Sequence, residues 1–244
     1  MRYVFILLSI FLTSCGKQWH LADTKARTYR IEKASFPVDV KAAGIIEPYK
    51  LQLDKTMNEV IGYCEQELTK GKPSSNLTNW FTDVLLEESQ KLVTDSLDFA
   101  IQNYGGIRLP AIPKGDVTVG KIYELMPFDN IMFIVEMKGS HVQELFDKMA
   151  ESGGWPVSRN VYFEIAYGKA KNIKIKNLAL DNEKMYNVAL PDYLANGGDN
   201  MIFLKGLKTH NTGALIRDMV INHLRENKLK NINIKSNTEK RIVE

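Results

Sequence analysis

Two glycine-bearing clusters, far apart in the chain, each bring one charged side chain: Asn103-Tyr104-Gly105-Gly106-Ile107-Arg108 and Tyr193-Leu194-Ala195-Asn196-Gly197-Gly198-Asp199. Each follows a short apolar run of strand type, and paired glycines let a main chain turn sharply or approach a ligand with no Cβ in the way. The first cluster delivers a guanidinium, whose planar fork of donors suits phosphate oxygens. The second delivers a carboxylate, which suits the vicinal hydroxyls of a ribose. A third segment, Tyr123-Glu124-Leu125-Met126-Pro127-Phe128-Asp129-Asn130, sets an aromatic ring on a proline-bounded loop before the apolar run Ile131 to Met137. Phe128 and Tyr193 could then sandwich a base, an arrangement that contributes about 1–3 kcal/mol per base and tolerates different bases. Taken singly, each glycine pair also reads as an ordinary turn between strands, and Phe128 as a core residue. Together the three segments describe a nucleotide pocket, provided that they meet in space.

In their order and spacing these segments resemble the C-terminal, substrate-binding domain of the periplasmic and cell-surface 5′-nucleotidases, a family that includes UDP-sugar hydrolases and cyclic-nucleotide phosphodiesterases. The resemblance runs from about Ile46 onward and rests on Asn-x-Gly-Gly-Ile-Arg, the Pro-Phe loop and aromatic-Leu-Ala-Asn-Gly-Gly-Asp. It implies that Phe128 and Tyr193 stack on the base and that Asn103 lies beside it. Arg108 would face the phosphate or ribose end, and Asp199 would take the ribose hydroxyls, with Gly105, Gly106 and Gly198 shaping the loops. The implied setting is nucleotide catabolism through phosphomonoester hydrolysis.

The sequence departs from the family pattern in two places. The family usually places Arg-Glu-Ser or similar just before a helix that here begins near Asn76, whereas this chain reads Lys72-Pro73-Ser74-Ser75. Lys70 or Lys72 can substitute there as a point charge, but lysine does not reproduce a bidentate guanidinium. The larger departure concerns the metallophosphatase domain of the family, in which two divalent metals activate water for attack on phosphorus. Its Asp-x-His, Gly-Asn-His-Asp/Glu and His-x-His clusters do not occur in this sequence. The four histidines fall in a linker (His20), at the opening of a helix (His141), in a polar turn (His210) and on a helical segment (His223). No metal site, cofactor, Gly-x-Ser-x-Gly elbow or Walker-type loop is read in this chain, and the two metal ions are expected in a partner phosphatase.

Three functional readings follow. The chain is the specificity half of a split 5′-nucleotidase and works with a separately encoded, exported metallophosphatase; or it is a stand-alone nucleotide- or nucleoside-binding lipoprotein for capture or sensing; or it is a degenerate module that recruits another protein. By itself it carries no complete hydrolase active site. Polynucleotide binding is disfavoured: the net charge is only +3, with basic and acidic residues interleaved rather than arranged in a stripe.

Met1-Arg2 followed by the apolar run Tyr3 to Leu12 reads as a signal peptide, and the run is too short to cross a bilayer as a helix, which needs about 20 residues. Leu12-Thr13-Ser14-Cys15 resembles a bacterial lipoprotein signal, with residues 1–14 removed, Cys15 lipidated, and residues 15–28 forming a tether. Acyl chains, at about 0.8 kcal/mol per buried CH₂, would hold the protein on the bacterial cell envelope, periplasm-facing or at the surface, with no other membrane contact. Once Cys15 is lipidated, Cys64 has no partner for an intrachain disulfide and reads as a buried filler. The sequon Asn76-Leu77-Thr78 is assigned no role.

Residues 29–244 are expected to form one α+β domain, a mixed β-sheet covered by helices. Strands are predicted at Thr28 to Glu32, Val60 to Cys64, Leu97 to Ile101, Ile131 to Met137, Val161 to Ile165, Ile173 to Ile175, Tyr186 to Leu190 and Ile232 to Ile234. Helices are predicted from Pro48 to Met57; after a Ser74 or Ser75 cap, with Leu77, Phe81, Val84, Leu85 and Leu92 inward; after a Ser140/Gln143 capping box, with Val142, Leu145, Phe146 and Met149 inward; and after Thr212, with Leu215, Ile216, Met219, Val220 and Leu224 inward.

Overall fold

The computed structural model describes residues 23–30 and 38–244, which divide into two compact units, one up to Glu47 and one from Pro48 to Glu244. Cys15 and the signal segment lie outside the described residues, as do Ile31 and Glu32, and Thr28 to Arg30 are not in a strand. Helix α1 (Val40–Met57) begins in the first unit, well before the proline that was expected to lead it. Asp39 Oδ1 accepts from the Lys41 and Ala42 N–H groups and so starts the helix early. Pro48 therefore sits in the helix interior, where its missing N–H leaves a carbonyl unserved.

The second unit is built around a four-stranded mixed sheet in the order β11 (Lys208–Leu215), β6 (Ile131–Lys138), β10 (Met185–Pro191), β3 (Phe99–Ala100). β10 pairs antiparallel with β6 and parallel with β3. Side chains alternate across a strand, and each face of this sheet feeds its own core. Met132, Ile134, Ala189 and Ala100 pack on one side with α2 (Asn76–Gln90), α3 (Val119–Leu125) and α6 (Ile216–Leu229). Val135, Met137, Val188, Leu190 and Phe99 pack on the other side with α4 (Gly139–Glu151) and a second four-stranded sheet. That sheet runs β12 (Ile242–Val243), β7 (Val161–Ala166), β8 (Lys169–Ile175), β9 (Leu178–Ala179). Two-stranded pairs, β1 (Val60–Cys64) with β5 (Gly115–Thr118) and β2 (Leu68–Thr69) with β4 (Ala111–Ile112), complete an α+β architecture of several small sheets rather than one.

The helices form where apolar residues recur at helical spacing. Ser75 caps α2 in a reciprocal box with Thr78, and Leu77, Phe81, Val84 and Leu85 are buried. Leu92 lies past the helix end and is exposed. Val142, Leu145, Phe146 and Met149 of α4 are buried as expected, but the Ser140/Gln143 box does not form. The α4 N-terminus instead spends its Gly139 and Ser140 N–H groups on the Lys184 and Asn182 carbonyls. Thr212 is likewise no cap: it lies in β11, its hydroxyl donates to Met132 O, and α6 starts directly from the strand end. Ile232 to Ile234 form no strand beyond a single bridge from Ile234 to Cys64.

Candidate functional site

Sheet register brings the three motif segments together. The parallel pairing Val188↔Phe99 puts the C-terminal ends of β10 and β3 at one edge, and the antiparallel pairing Pro191↔Met132 puts the start of β6 there too. The loop after β3, the loop before β6 and the turn after β10 must therefore emerge side by side. They enclose a cleft of about 560 Å³ lined by Asn103, Gly105, Gly106, Arg108, Phe128, Asp129, Asn130, Tyr193 and Asp199.

Phe128 (41% exposed) and Tyr193 (43%) both present ring surface to this cleft instead of joining the core. Tyr193 lies in α5 (Asp192–Ala195), and its ring packs on Gly198, where a Cβ would come within 2.5 Å of the ring carbon Cζ. Gly198 thus does not line the cleft; it makes room for the Tyr193 ring. Asp199 follows with φ 49°, a left-handed conformation that non-glycine residues rarely adopt. Its carboxylate is held at both oxygens: Tyr193 OH donates to Oδ1 at 2.9 Å and Asn103 Nδ2 donates to Oδ2 at 2.9 Å. The Asp199 N–H in turn donates to Tyr193 OH at 3.2 Å. The hydrogen bond from the phenol to the carboxylate holds Tyr193 above the usual tyrosine range.

The first loop turns through a short 3₁₀ segment, Tyr104–Gly106. A Cβ at Gly105 would make only an ordinary contact, 3.8 Å from Asn103 Nδ2, whereas one at Gly106 would collide with Gln102 Nε2 and lie 2.7 Å from Asn103 Oδ1. Arg108 is exposed, donates to Gly105 O at 3.3 Å and has its guanidinium carbon 5.6 Å from the centre of the Phe128 ring. Among the described residues no carboxylate lies within ion-pair distance of Arg108.

Neither lysine proposed as a phosphate contact lines the cleft. Lys70 donates to Ile107 O at 2.7 Å, Lys72 donates to Ser152 O, and both ammonium groups sit over the Tyr104 ring, at 3.9 and 4.8 Å from its centre. Burial, and then the positive charges of Arg108 and Lys72, push the Lys70 ammonium below its usual range. The lysines therefore brace the first loop from behind.

Two lining residues go unremarked as site residues in the sequence although they follow Phe128 directly. Asn130 donates to Asp192 Oδ1 at 2.9 Å, which also accepts the Tyr193 N–H at 2.8 Å, so this pair ties the Phe128 loop to the Tyr193 turn. Asp129 accepts from Arg217 Nη2 at 2.6 Å, and Arg217 also lies over the Tyr123 ring. Adjacency to Phe128 in an already notable motif was the available signal for both.

The remaining candidates lie elsewhere. His141 opens α4 and stacks on Phe203, His210 is in β11 rather than a turn, and His223 is buried with Nδ1 2.7 Å from Glu88 Oε1; His20 lies outside the described residues. Cys64 is fully buried, and burial pushes its thiol up, away from the thiolate form. Among the described residues no group of three or more His, Cys, Asp or Glu is placed to hold a metal ion, and no helix is long and apolar enough to cross a membrane.

Known proteins are similar to this chain in both sequence and fold. The chain is 30% identical over 154 residues to Protein UshA of Salmonella pullorum, covering 62% of this chain and 27% of that protein. It is 31% identical over 171 residues to Protein UshA of Yersinia enterocolitica, covering 67% of this chain and 30% of that one. The solved 5′-nucleotidase precursor from Thermus thermophilus superposes with a TM-score of 0.71 at 27% identity, covering 86% of this chain and 44% of that one. The chain thus spans less than half the length of each of these relatives. Residues 56–206 match the family described as 5′-nucleotidase, C-terminal domain, and with the cleft residues falling in one fold of that type, the chain belongs to this family.

Proposed function

We propose that the cleft binds a nucleoside or nucleotide and that this chain is the specificity half of a 5′-nucleotidase, with the phosphatase supplied by a separately encoded, exported metalloprotein. The observation that carries this reading is that two half-exposed rings, Phe128 and Tyr193, share one 560 Å³ cleft with a fixed carboxylate and a guanidinium that has no carboxylate partner among the described residues. A base between the rings, ribose hydroxyls donating to Asp199 and a 5′ substituent toward Arg108 would use each group for what its chemistry suits. The described residues offer no metal ligand set. The contribution of this chain is therefore orientation of the substrate, which turns a bimolecular encounter into a positioned one.

Phosphate release from AMP should require both chains and should be abolished by a chelator. Release by this chain alone in metal-free buffer would overturn the division of labour. Lipid attachment at Cys15 belongs to the same proposal, and a metabolically incorporated acyl label should be lost in Cys15→Ser.

A second reading, a stand-alone nucleoside-binding protein, draws support from Lys70 and Lys72, whose ammonium groups are engaged on carbonyls away from the cleft. With Arg108 as the cleft guanidinium, a 5′-phosphate gains less here than in a site with several arginines. Calorimetry with adenosine and AMP separates the two readings: adenosine bound as tightly as AMP favours the stand-alone protein. A melting temperature unmoved by either ligand would point to an interaction module.

A further inference from the structure

We infer that Gln102 is a positioning residue that sets the direction of the hydrogen-bond chain orienting the Asp199 carboxylate in the cleft. The inference deepens the nucleoside-binding reading and rests on it for its ligand, but not for its geometry.

A carboxylate accepts only, whereas a primary amide donates from one end and accepts at the other. Asn103 could present either end to Asp199, and only its Nδ2 end makes a bond. Gln102 settles which: its Nε2 donates to Asn103 Oδ1 at 2.9 Å, which turns Asn103 Nδ2 outward to donate to Asp199 Oδ2 at 2.9 Å. Tyr193 OH closes the chain from the other side on Oδ1. The order is therefore Gln102 to Asn103 to Asp199, with Tyr193 donating inward, and every link is of the right sense.

Two features show that the placement of Gln102 is costly and specific. Gln102 is fully buried, and its Oε1 has no hydrogen-bond partner among the described residues, so the site tolerates an orphaned acceptor in order to aim Nε2 at Asn103. Gly106 is the residue that makes room for this amide pair, since a Cβ there would strike Gln102 Nε2 and crowd Asn103 Oδ1. Gln102 itself does not line the cleft, so it acts through Asn103. The function assigned to it is selection of ribose: a carboxylate whose outer oxygen positions are fixed leaves its remaining lone pairs aimed at vicinal hydroxyls.

Two variants test this in the full chain. Gln102→Met keeps the volume and removes the amide. Gln102→Glu places an acceptor against Asn103 and drives its amide to turn, bringing Oδ1 toward Asp199. In both, the preference for adenosine over 2′-deoxyadenosine should fall roughly tenfold, the size of one hydrogen bond to a charged group. The Tyr193 phenol, followed by NMR with Tyr193→Phe as the assignment control, should titrate higher than in the wild type because Asp199 leans on it harder, and more so in Gln102→Glu. A folded variant with wild-type sugar preference and wild-type Tyr193 titration overturns the proposal. If the wild-type chain binds neither nucleoside, the functional reading fails while the Tyr193 titration still decides the role of Gln102. If neither variant folds, hydrogen exchange of the Asn103 side-chain amide in the wild type decides: slowed exchange supports an amide held at both ends, and free exchange overturns it.

Discussion

Two polar clusters among the described residues, one around Arg241 and one at the cleft, are finished differently. Around Arg241, which is 1% exposed, every nitrogen of the guanidinium has a partner: Asp83 takes Nη1 and Nη2 at 2.9 and 2.7 Å, Glu239 takes Nε at 3.0 Å, and the Asn79 and Val157 carbonyls accept from Nη1. At the cleft, Asp199 has one protein donor on each oxygen with lone pairs to spare, Arg108 has a single long bond to a carbonyl, and two rings stand half in solvent. A closed network fastens elements of the fold to one another. An open one, held from behind by Gln102, Asn130 and Lys70, leaves acceptor and donor capacity facing the cleft.

The sharpest way to test that contrast is to open the closed cluster. Arg241→Met strips the partly buried Asp83 of its guanidinium, leaving it only the Arg159 N–H, and should cost up to roughly 3–5 kcal/mol in denaturant unfolding, while the folded fraction keeps its preference among nucleosides. At the open cluster the pattern should reverse. Phe128→Ala or Tyr193→Ala should each weaken nucleoside binding by about 1–3 kcal/mol, read by calorimetry, with a smaller change in unfolding than Arg241→Met. Asp199→Ala should remove much of the preference for ribose over deoxyribose, about 1.5–3 kcal/mol if both hydroxyls used the carboxylate; an unchanged preference would show that the sugar is read elsewhere.

The smallest effect is at alkaline pH. The Tyr193 phenol is raised by its bond to Asp199, so whatever this bond adds to stability is fully present below the ordinary tyrosine range and is lost as pH rises through the raised value. Tyr193→Phe should flatten that part of the pH–stability profile.

Much of this contrast is legible from the residues alone, but unevenly. The cleft loops announce themselves because glycine pairs, a proline-bounded aromatic and single charges are local signals, and sheet register then brings them to one edge. The buried faces of α2 and α4 follow from helical spacing for the same reason. The Arg241 cluster gives no signal, since its pairing with Asp83 joins residues far apart in the chain. β11 is hidden because Lys208 to Asn211 are all exposed on an edge strand and carry no alternation, which leaves Thr212 looking like a helix cap. The box at Ser140 fails for a tertiary reason, the supply of carbonyls from the 182–184 segment. Gly106 and Gly198 stand out in the sequence, but the neighbours that need them do not: a Cβ would strike the Gln102 amide at one and the Tyr193 ring at the other.

The seating of Tyr193 on Gly198 has a consequence for how the cleft would fill. With its ring against a residue that has no side chain and its hydroxyl both giving and receiving a bond from Asp199, this wall is already immobilised and forfeits little rotational freedom when something stacks on it. The Phe128 backbone is held, its carbonyl accepting from Arg217 Nη1 at 3.3 Å, but its ring carries no polar atom to fix it and, 5.6 Å from the Arg108 guanidinium carbon, has that freedom left to lose. Were a base to stack here, more of the entropic penalty would fall on the Phe128 ring than on Tyr193, so packing that restrains this ring is the direct route to tighter binding.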